Sequence, residues 1–401
     1  MIYDCIIIGG GAAGLFCAAG FDRPISGLIL EKTRRPASKL LMSGSGQCNV
    51  THSGSIKDFI PRYGNNGRVI RSCLYRYNNL HLQNFLRENH VDTVTRDDGK
   101  VFPRSMRAAQ IRDMLLTRAR QNGFDLRTDT EVTGIVPTSD GLWQVTCDQR
   151  VSVGRCLIVA SGGCSYPATG SDGSFFSVLQ RDLDLAVTRL RPALTPVNVY
   201  DYPYGELSGI SLPDVQLTVW RQERKIAEAA GSLLFTHENF SGPLVLNISK
   251  NITNHDKIML NYIYPCDKSL ALERILHEMK NSRMQLQNLL PELFGLPKSM
   301  IRVLLTRTGE KPKAIAARLT EDSFTVKSLS GFSKAMVTSG GIALGEIDPK
   351  TMESRRYPGL FAIGEALDID GETGGYNLQF AYASARAAGD AVLAKLAKSS
   401  I

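Results

Sequence analysis

The stretch LMSGSGQCNVTH, residues 41–52, contains residue types that could do chemistry beside a flat ligand. Serines alternate with glycines, and a thiol follows at Cys48 and an imidazole at His52. A thiol shielded from oxidation can act as a general acid, and an imidazole can orient a substrate. A small residue filling a crowded loop and a structural histidine would give the same letters. Cys48 is therefore the candidate catalytic residue and His52 a candidate substrate contact, and the elements that hold the loop must decide between these interpretations.

The N-terminal stretch YDCIIIGGGAAG predicts a dinucleotide-binding turn. Gly9, Gly11 and Gly14 follow an apolar strand in the spacing G-x-G-x-x-G, which allows a tight turn, close approach of a pyrophosphate and close helix–strand packing. A second strand, GLILEK, ends at Glu31, 22 residues after Gly9. An acid in this position binds ribose hydroxyls, so FAD or NAD is favoured over a 2′-phosphorylated nucleotide. Pro24 predicts that the helix between the strands is short.

The C-terminal region distinguishes FAD from NAD. Residues 357–389 predict a strand over 360–363, a Gly-Glu pair, a glycine-rich loop and a helix that begins near Asn377. Residues 126–160 predict a three-stranded meander that leads to another buried strand, which ends at Gly162 and Gly163. The N-terminus of the last helix would point backbone N–H groups at the end of a flavin where negative charge develops. A dehydrogenase that only borrows NAD does not need this element, so the sequence predicts tightly held FAD.

With both ends considered, the sequence resembles the BaiN/RdsA family of NAD(P)/FAD-dependent oxidoreductases, which includes aminoacetone oxidase-like proteins. The resemblance covers nearly the whole chain, in IIIGGGAAG, KLLMSGSGQCNVTH, VFPRS, LIVASGGCSYPATGSDGSFF, LRPALTPV, GSLLFTHENFSGPLVLNIS, MVTSGGIALGEIDPKTMES and PGLFAIGEALDIDGETGGYNLQFA. It implies an α/β protein with a Rossmann-type FAD-binding domain, an inserted antiparallel β-barrel and a small helical subdomain. The family loop usually reads G-R-C-N, and Gln47 replaces that arginine here, which is expected to change the ligand charge preference near Cys48.

The resemblance and the two glycine-rich motifs together predict the ligand contacts. In the family the loop of residues 43–49 lies along the flavin, and the Gly-Glu pair would meet the ribityl chain. For Asn377 a role of the backbone is favoured over a role of the side chain. For Tyr166 and Thr169, packing within their loop is an equal alternative to contact with the flavin or the substrate. The predicted cofactor-binding residues are Gly9, Gly11, Ala12, Ala13, Gly14, Glu31, Lys32, Lys39, Ser43, Gly44, Gly46, Asn49, Val132, Ser161, Gly162, Gly163, Gly364, Glu365, Gly374, Gly375, Tyr376, Asn377 and Leu378. The predicted substrate-binding residues are His52, Tyr166, Thr169, Arg112 and Arg118.

The chain divides into segments of different pattern. The FAD-binding domain is predicted over residues 1–190 and 333–401, the barrel over 191–268 and 319–332, and the helical subdomain over 269–318. The barrel strands are predicted in VQLTVW, SLLFTH and GPLVLNIS, and LALERILHEMK has apolar residues at helical spacing. The stretch FPRSMRAAQIRDMLLTRARQNG predicts a helix with Ser105 as its N-cap.

Charge and cysteine usage limit the partners and the compartment. The net charge is +8, and residues 57–127 have 14 Lys or Arg against 7 Asp or Glu, a net of +7. This is either a solvated face or a surface that attracts an anionic partner such as RNA. The eight cysteines include no C-x-x-C pair, which fits a reducing compartment. No basic segment precedes the first apolar run, and no stretch approaches the roughly 20 apolar residues of a membrane span. We expect a cytoplasmic protein with no membrane partner.

Within the resemblance three activities compete. Some members reduce uracil in ribosomal RNA to dihydrouridine with NADPH, others reduce steroid enones, and others oxidise a small amine such as aminoacetone. The first two need hydride transfer to an electron-poor alkene carbon and a proton on its neighbour. The localised basic excess favours reduction of 23S ribosomal RNA, with ribosomal RNA as partner and a small-molecule substrate as the alternative. NADPH or NADH would visit the flavin transiently, since no second complete G-x-G-x-x-G appears. A metal site is unsupported by the sequence, and a binding module with vestigial chemistry is a further alternative.

Overall fold

The computed structural model describes residues 1–148 and 150–398, and it divides the chain into two compact units. The first unit contains residues 1–191 and the chain from Val337 onward, and the second contains residues 192–336. The helical segment that the sequence predicts as a separate subdomain shares one hydrophobic core with the barrel of the second unit. No helix of the described residues is both long enough and apolar enough to cross a membrane.

The described part of the first unit is built on a seven-stranded sheet. Its strands run in the order β6-β2-β1-β9-β8-β7, and β18 pairs with β9 off this path. The pairs β6–β2, β2–β1, β1–β9 and β9–β18 are parallel, whereas β7, β8 and β9 form the predicted antiparallel meander. The strands of this sheet are β1 Ile2–Ile8, β2 Gly27–Leu30, β6 Phe124–Arg127, β7 Val132–Pro137, β8 Trp143–Cys147, β9 Arg150–Val159 and β18 Leu360–Ala362.

The strand order explains where a ligand can bind. From β1 the chain passes to β2 and β6 on one side, and β9 and β18 lie on the other side, so the order reverses at β1. In open parallel sheets the crevice beyond the carboxyl ends of the strands at such a point is the usual ligand site. Strands β1, β2 and β9 are almost continuously apolar and buried where they pair, as parallel strands covered by helices are.

Helices and a small sheet complete the first unit. A three-stranded sheet has the order β3-β5-β4, and α1 packs against both α6 and α13. The sequence-based assignment of Ser105 as the N-cap of α6 is wrong, because the cap is Arg107 and the Ser105 hydroxyl donates to Gln110 Oε1 instead. The small-sheet strands are β3 Thr51–His52, β4 Thr93–Thr95 and β5 Lys100–Pro103. The helices are α1 Ala12–Ala19, α2 Ser38–Met42, α3 Ile56–Phe59, α4 Arg71–Arg76, α5 Asn79–Glu88, α6 Ala108–Gln121, α7 Ser174–Leu183 and α13 Tyr376–Lys398. Two further short strands are β10 Arg191–Ala193 and β17 Val337–Ser339.

The described part of the second unit is a closed barrel with helices packed on its core. The barrel order is β11-β14-β13-β12-β15-β16. The strand predicted in GPLVLNIS is wrong, because residues 242–248 form a helix, α8. A short apolar run does not distinguish a buried strand from a buried helix, and Pro243 in the first turn suits a helix start. The strands are β11 Val197–Val199, β12 Ser211–Arg221, β13 Arg224–Phe235, β14 Phe240–Ser241, β15 Lys257–Asn261 and β16 Asp322–Leu329. The helices are α8 Gly242–Ile248, α9 Lys268–Asn281, α10 Leu286–Phe294, α11 Lys298–Thr308 and α12 Pro312–Thr320.

Candidate active site

The glycine-rich turn after β1 has the geometry of a pyrophosphate cradle. Gly9 has φ +107°, and a Cβ there would lie 2.4 Å from the carbonyl oxygen of Ala160. A Cβ at Gly14 would lie 2.1 Å from the Gly9 carbonyl oxygen, so only glycine lets α1 begin so close to the strand. A Cβ at Gly11 would meet nothing within 4 Å, which leaves open space at the start of α1. Ala12 and Ala13 are the first residues of that helix, and its N-terminal amides favour an anion.

Glu31 follows β2 and is joined to the turn by hydrogen bonds. Its Oε2 accepts from the Gly10 backbone N–H at 2.8 Å, and its Oε1 accepts from the backbone N–H and hydroxyl of Thr33 at 2.8 and 2.6 Å. The side chain is thereby fixed beside the turn with only 8% of the residue exposed. The oxygens are oriented before any ligand arrives, which is the preorganisation that a ribose-binding carboxylate needs.

Lys32 follows this acid in the chain, and Val132 follows Thr130, whose N–H donates to Glu31 O at 2.9 Å. The Lys32 ammonium contacts Asp172 Oδ2 at 2.6 Å and Glu131 Oε1 at 3.0 Å. The side chain of Lys32 is therefore paired with protein carboxylates, and a cofactor role would fall to its backbone. Val132 is buried at the start of β7 and presents no polar side-chain atom.

The two ends of the chain meet at the start of α1. Strand β18 lies beside β9, and the chain leaves it through Gly364, which has φ +61°. A Cβ at Gly364 would lie 2.6 Å from the Cβ of Ala13, so the C-terminal loop touches the first turn of α1. The Gly364 N–H donates to the Ser384 hydroxyl of α13 at 3.0 Å. The Gly-Glu pair and the N-terminal fingerprint thus lie side by side.

Four residues from separate segments form what we call the Glu365 cluster: Lys39, Ser165, Thr338 and Glu365. Glu365 Oε2 contacts the Lys39 ammonium at 2.5 Å, and Oε1 accepts from the Ser165 hydroxyl at 2.7 Å and the Thr338 N–H at 2.8 Å. Lys39 also donates to the Ser165 hydroxyl at 2.5 Å. The side chains of Lys39 and Glu365 remain 27% and 20% exposed. The cluster ties α2, the loop after β9, β17 and the loop after β18 together while part of the ion pair stays open.

The loop of residues 43–49 is compact and strongly turned. Gly44, Ser45, Gly46 and Cys48 all have positive φ angles, between 55° and 85°. The Ser43 hydroxyl donates to Leu40 O at 2.7 Å, and the Ser43 carbonyl accepts from the Cys48 N–H at 2.9 Å. Cys48 is 0% exposed, and this burial raises the pKa of its thiol to about 11. At neutral pH the thiol is protonated, as a general acid must be, but its burial equally suits a residue that fills the loop.

Asn49 connects this loop to the start of α13. In the amide orientation that satisfies all of its neighbours, Asn49 accepts from the Gly375 N–H at 3.1 Å and donates to Thr51 O at 2.8 Å and Val101 O at 3.1 Å. A Cβ at Gly375 would lie 2.5 Å from Thr51 O, so the backbones of the two segments are in direct contact. The Thr51 hydroxyl donates to Gln379 of α13 at 2.8 Å. The predicted loop and the predicted helix start are therefore brought together.

His52 and Tyr376 form a stacked pair at the same place. Their ring centroids lie 5.5 Å apart with an interplanar angle of 14°. His52 Nδ1 lies 2.8 Å from Ser53 O, and Nε2 lies 3.0 Å from Asp98 O. Both ring nitrogens thus face backbone carbonyls rather than the open side of the site. A Cβ at Gly374 would meet the Tyr376 ring at 2.9 Å, which explains the glycine before the helix.

Asn377 uses its side chain within the protein. Its Oδ1 accepts from the Gly371 N–H at 2.8 Å, and its Nδ2 donates to Gly371 O at 2.8 Å. A ligand would therefore meet the backbone amides at the start of α13 rather than this amide group, in keeping with the role favoured from the sequence. Leu378 is partly buried and packs against the core of the unit.

The loop after β9 contains the unsatisfied hydroxyls expected of a ligand site. Within the described residues the buried hydroxyls of Ser161 and Ser171 have no hydrogen-bond partner. A Cβ at Gly162 would lie 2.9 Å from Ser171 Oγ, and one at Gly163 would lie 2.4 Å from Thr338 Oγ1. Buried polar groups are rarely left unpaired in folded proteins. These hydroxyls, the open space at Gly11 and the fixed Glu31 together fit the ribityl, pyrophosphate and ribose groups of FAD.

The remaining substrate candidates lie in two other places. Thr169 donates its hydroxyl to Tyr166 O at 2.7 Å in the turn before Gly170. A Cβ at Gly170 would lie 2.7 Å from Thr33 Cγ2 and 3.6 Å from Glu31 Oε1, so this turn lies beside Glu31, the candidate ribose-binding residue. Arg112 and Arg118 lie on α6 instead.

Within the part of the chain that the structure describes, neither arginine forms a side-chain hydrogen bond or ion pair with the loop of residues 43–49 or with the start of α13. Arg112 pairs with its neighbour Asp113 at 2.7 Å, and Arg118 donates to Gln121 at 3.1 Å. The Nε of Arg118 is buried without a hydrogen-bond partner in the described residues.

Sequence reasoning missed several residues that complete the site. Ser165 and Thr338 stand inside two motifs that support the family resemblance, yet no spacing rule relates positions so far apart. Thr33 is two residues beyond Glu31, and an acid followed by Thr is a local signal for a hydrogen bond. Arg96 was also missed: its guanidinium donates to Gln47 Oε1 at 2.5 Å. A positive charge therefore lies beside residue 47 although no arginine occupies that position.

Known proteins resemble this chain along nearly its whole length. Residues 3–391 match the family described as HI0933-like protein Rossmann domain. The chain is 30% identical to a ribosomal RNA dihydrouridine synthase of Escherichia coli strain K12, over 98% of this chain and 99% of that protein. It is 28% identical to a 3-dehydro-bile acid delta(4,6)-reductase of Clostridium scindens, over 96% of this chain and 98% of that protein.

Solved structures share the fold at low sequence identity. A mutant of the E. coli quinol fumarate reductase FrdA has a TM-score of 0.54 and 15% identity, over 100% of this chain and 71% of that one. The 3-ketosteroid delta1-dehydrogenase from Sterolibacterium denitrificans has a TM-score of 0.53 and 11% identity, over 98% of this chain and 100% of that one. These identities support a shared fold and nothing finer.

Proposed function

The chain belongs to the HI0933-like family of Rossmann-domain proteins and is an FAD-dependent oxidoreductase, and on this premise we propose that it uses NAD(P)H to reduce a uracil of 23S ribosomal RNA to dihydrouracil. The reaction adds a hydride to one carbon of an activated double bond and a proton to its neighbour, while NAD(P)H becomes NAD(P)⁺. Bound FAD would supply that hydride after taking it from NAD(P)H.

The observation that supports the proposal most directly is the contact between the 43–49 loop and the start of α13. Through Asn49 and Gly375 the loop that contains Cys48 lies at the helix end where backbone amides would stabilise negative charge. The fingerprint turn and Glu31 would hold the pyrophosphate and the ribose at the other end of the cofactor. A substrate that enters beside the loop would thus meet both the cofactor and a protein proton donor.

We propose Cys48 as the proton donor. The raised pKa of its thiol keeps the proton at neutral pH, and Ser43, its hydrogen-bond partner, orients the group. A donor that acts on a substrate carbon must be released from such burial when the substrate binds. Cys48→Ser keeps a residue of similar size but replaces the thiol with a much weaker acid, whereas Cys48→Ala also removes the atom that fills the loop, so a comparison of the two variants separates acid catalysis from packing.

The choice of RNA rests on relatives and on charge. Two relatives, each 30% identical to this chain over at least 95% of its length, are named ribosomal RNA dihydrouridine synthase. Residues 57–127 have a net charge of +7, and Arg68, Arg71, Arg104 and Arg107 of this segment are exposed. Cationic side chains on one segment favour a polyanionic substrate.

A gene deletion tests the proposal. The deletion strain should lose a dihydrouridine from 23S ribosomal RNA, measured by mass spectrometry of nuclease fragments, and the wild-type gene should restore it. Cys48→Ala should leave reduction of FAD by NAD(P)H intact in anaerobic stopped flow but slow the reduction of RNA by about 10²-fold. An unchanged modification pattern in the deletion strain would refute the RNA substrate. Equal rates for both half-reactions in Cys48→Ala would remove the acid role.

A small-molecule enone is the second candidate. The bile acid reductase that is 28% identical to this chain along its length supports it. Both reactions add a hydride and a proton to an activated double bond, so only the substrate differs. Anaerobic reoxidation of the reduced enzyme by a steroid enone, with no reoxidation by RNA, would favour this candidate. Reduction of the oxidised flavin by aminoacetone without NAD(P)H, followed by reoxidation of the flavin by oxygen, would point to the amine oxidase alternative.

A further inference from the structure

We propose that Arg96 holds a phosphate of the nucleic acid substrate beside the 43–49 loop. This inference rests on the proposed function, because it identifies how an RNA substrate would be held at that site. It starts from one contact, in which Arg96 donates from a terminal guanidinium nitrogen to Gln47 Oε1 at 2.5 Å. Gln47 immediately precedes Cys48, so a cation lies one residue from the proposed proton donor.

The side chain of Arg96 is held in place by two further groups. Its guanidinium carbon lies 4.0 Å from the centroid of the Phe102 ring, and a terminal nitrogen lies 3.7 Å from Met106 Sδ. Phe102 belongs to β5 and also supports the loop, because a Cβ at Gly44 would lie 3.3 Å from its ring. A long side chain that is already ordered loses less entropy when it binds a ligand.

The backbone that presents Arg96 is a tight turn tied to the site. The Arg96 N–H donates to Lys100 O, and the Gly99 N–H donates to Arg96 O, each at 2.9 Å. Gly99 has φ +80°, and a Cβ there would lie 2.3 Å from Cε1 of His52. The turn, the His52–Tyr376 stack and the 43–49 loop therefore form one connected frame.

The guanidinium of Arg96 is attracted by the nearby Asp98 carboxylate but has no acidic partner in direct contact among the described residues. No carboxylate oxygen of the described residues forms an ion pair with it, and Asp98, two residues away, pairs with Lys100 at 2.6 Å. Asp97 is exposed and adjacent in sequence, yet it also forms no ion pair with Arg96 in the described part of the chain. A guanidinium has five N–H donors, and the bond to Gln47 uses one of them.

Two more arginines lie on the turn that follows β5. Met106, which touches the Arg96 side chain, is flanked closely by Arg104 and Arg107, and both are exposed. Neither forms an ion pair within the described residues. We call Arg96, Arg104 and Arg107 the arginine rim. It adds positive charge to the segment that contacts Gln47 through Arg96.

A phosphodiester is the ligand chemistry that this rim fits best. A planar guanidinium binds two phosphate oxygens with parallel hydrogen bonds, and each phosphate contact releases counterions. A bile acid has one carboxylate and a small amine has no anion, whereas an RNA strand has a phosphate at every nucleotide and so can occupy several arginines at once. Arg96 would hold the phosphate next to the reacting nucleotide, while Arg104 and Arg107 would act on the strand further away.

RNA binding by the purified FAD-loaded protein tests the inference. A fluorescein-labelled single-stranded RNA that contains uridine is titrated with wild type, Arg96→Gln and Arg96→Lys, and fluorescence anisotropy is read at several KCl concentrations between 50 and 200 mM. Arg96→Gln should bind about tenfold more weakly at the lowest salt, with a log–log salt slope smaller by about one. Arg96→Lys keeps the charge and should retain the slope while losing affinity, because it lacks the planar fork.

Arg120→Gln is the matched control. Arg120 is an exposed arginine in the last turn of α6, twelve residues beyond the start of that helix and so roughly 18 Å along it. Its affinity and salt slope should equal those of wild type. FAD absorbance and melting temperature verify that every variant is folded. If Arg96→Gln does not fold, Arg96→Lys is compared with wild type in its place.

The outcomes separate the inference from the proposed function. If wild type binds RNA and Arg96→Gln binds it equally well, Arg96 is not the phosphate contact, although an RNA substrate stays possible. If wild type itself binds no RNA while an enone reoxidises the reduced protein, the RNA substrate and the role of Arg96 are both wrong. A loss that is equal for Arg96→Gln and Arg120→Gln would show nonspecific attraction and would also overturn the inference.

Discussion

Each unit of the chain contains a carboxylate on which several elements converge, and the two differ in their access to water. In the first unit Glu365 binds Lys39, Ser165 and Thr338, and its side chain is 20% exposed. In the second unit Asp322 is 0% exposed. The same chemical group is thus partly open at the candidate active site and completely enclosed in the barrel unit.

The enclosed carboxylate is fully paired. Asp322 Oδ2 accepts from the hydroxyls of Tyr204 at 2.5 Å and Tyr262 at 2.9 Å and from Arg307 at 3.0 Å, and Oδ1 accepts from Arg318 at 2.6 Å. We call these residues the Asp322 cluster. Burial and the nearby Asp322 charge raise the pKa of Tyr204, so its phenol stays a hydrogen-bond donor. A closed, satisfied cluster joins helices to a barrel strand, whereas the partly open Glu365 cluster leaves charge available to a ligand.

The largest effect is expected for Asp322→Ala. Removal of one partner leaves two arginines and two phenols without their acceptor inside the unit, and breaking a buried pair typically costs about 3–5 kcal/mol. The free energy of unfolding from urea titrations should fall by that amount. Below the unfolding transition, FAD content should match wild type, because the Asp322 cluster contains none of the cofactor residues.

Glu321→Gln is the matched control for this change. Glu321 precedes Asp322 and forms an exposed ion pair with Lys268 at 2.9 Å. Exposed pairs contribute about 0–1 kcal/mol, so the control should unfold almost as wild type does. Equal losses of unfolding free energy for the two variants would show that burial of the carboxylate does not determine its contribution to stability.

Cys48 is a buried ionisable group within the first unit. The effect of its titration on stability tests whether burial acts in this unit as it does in the Asp322 cluster. Burial raises the pKa of the thiol from 9.0 to about 11, against a weaker opposite effect of its hydrogen bond with Ser43. Between these values the unfolded chain loses the proton and the folded chain keeps it, so stability falls as pH rises from 9 to 11. The fall attributable to this thiol is at most about 2–3 kcal/mol.

The pH profile of Cys48→Ala should therefore be flatter than that of wild type over this range, as measured by urea unfolding at each pH. The other buried thiols titrate in both proteins and cancel in the difference. Ser45→Ala, in the same loop, removes no thiol and should keep the wild-type profile. Parallel profiles for Cys48→Ala and wild type would mean that the thiol is not enclosed in solution.

A smaller effect is expected for Lys39→Met. The change leaves the Glu365 carboxylate without its cation. The Glu365 side chain is partly exposed to solvent, which reduces the cost to stability to below about 1 kcal/mol. FAD binding should suffer more, by about tenfold, or about 1.4 kcal/mol, because an unpaired negative charge would face an anionic cofactor. Quenching of flavin fluorescence during titration of the apoprotein measures the affinity.

The control for Lys39→Met is Lys225→Met, which breaks the exposed pair with Glu228 in the barrel unit. It should change neither FAD affinity nor stability measurably. If Lys39→Met destabilises the apoprotein as strongly as Asp322→Ala does, the Glu365 cluster is structural in the same sense as the Asp322 cluster. Unchanged FAD affinity would place Lys39 outside the cofactor site.

The sequence predicted those parts of the site that local backbone geometry dictates. Gly14 can be assigned because only glycine allows a helix to start against the Gly9 carbonyl, and a spacing rule describes that constraint. The contact between Lys39 and Glu365 joins residues 326 positions apart, and no spacing rule relates them. Arg96 follows β4 and Gln47 precedes β3, and both strands pair with β5, so their contact depends on tertiary structure. Residues 242–248 were mistaken for a strand because burial on all sides removes the periodicity that separates helix from strand.

The smallest effect is expected for Arg112→Gln, which extends the comparison to a pair whose carboxylate is largely exposed. Arg112 was predicted from the sequence to bind substrate, but its guanidinium contacts the exposed carboxylate of Asp113 at 2.7 Å. A paired cation attracts RNA weakly, and its pair contributes about 0–1 kcal/mol to stability. We expect RNA affinity to change less than twofold, against about tenfold for Arg96→Gln in the same anisotropy titration. A tenfold loss for Arg112→Gln as well would restore α6 as part of the RNA surface, and it would show that pairing with a neighbouring carboxylate does not remove an arginine from nucleic acid binding.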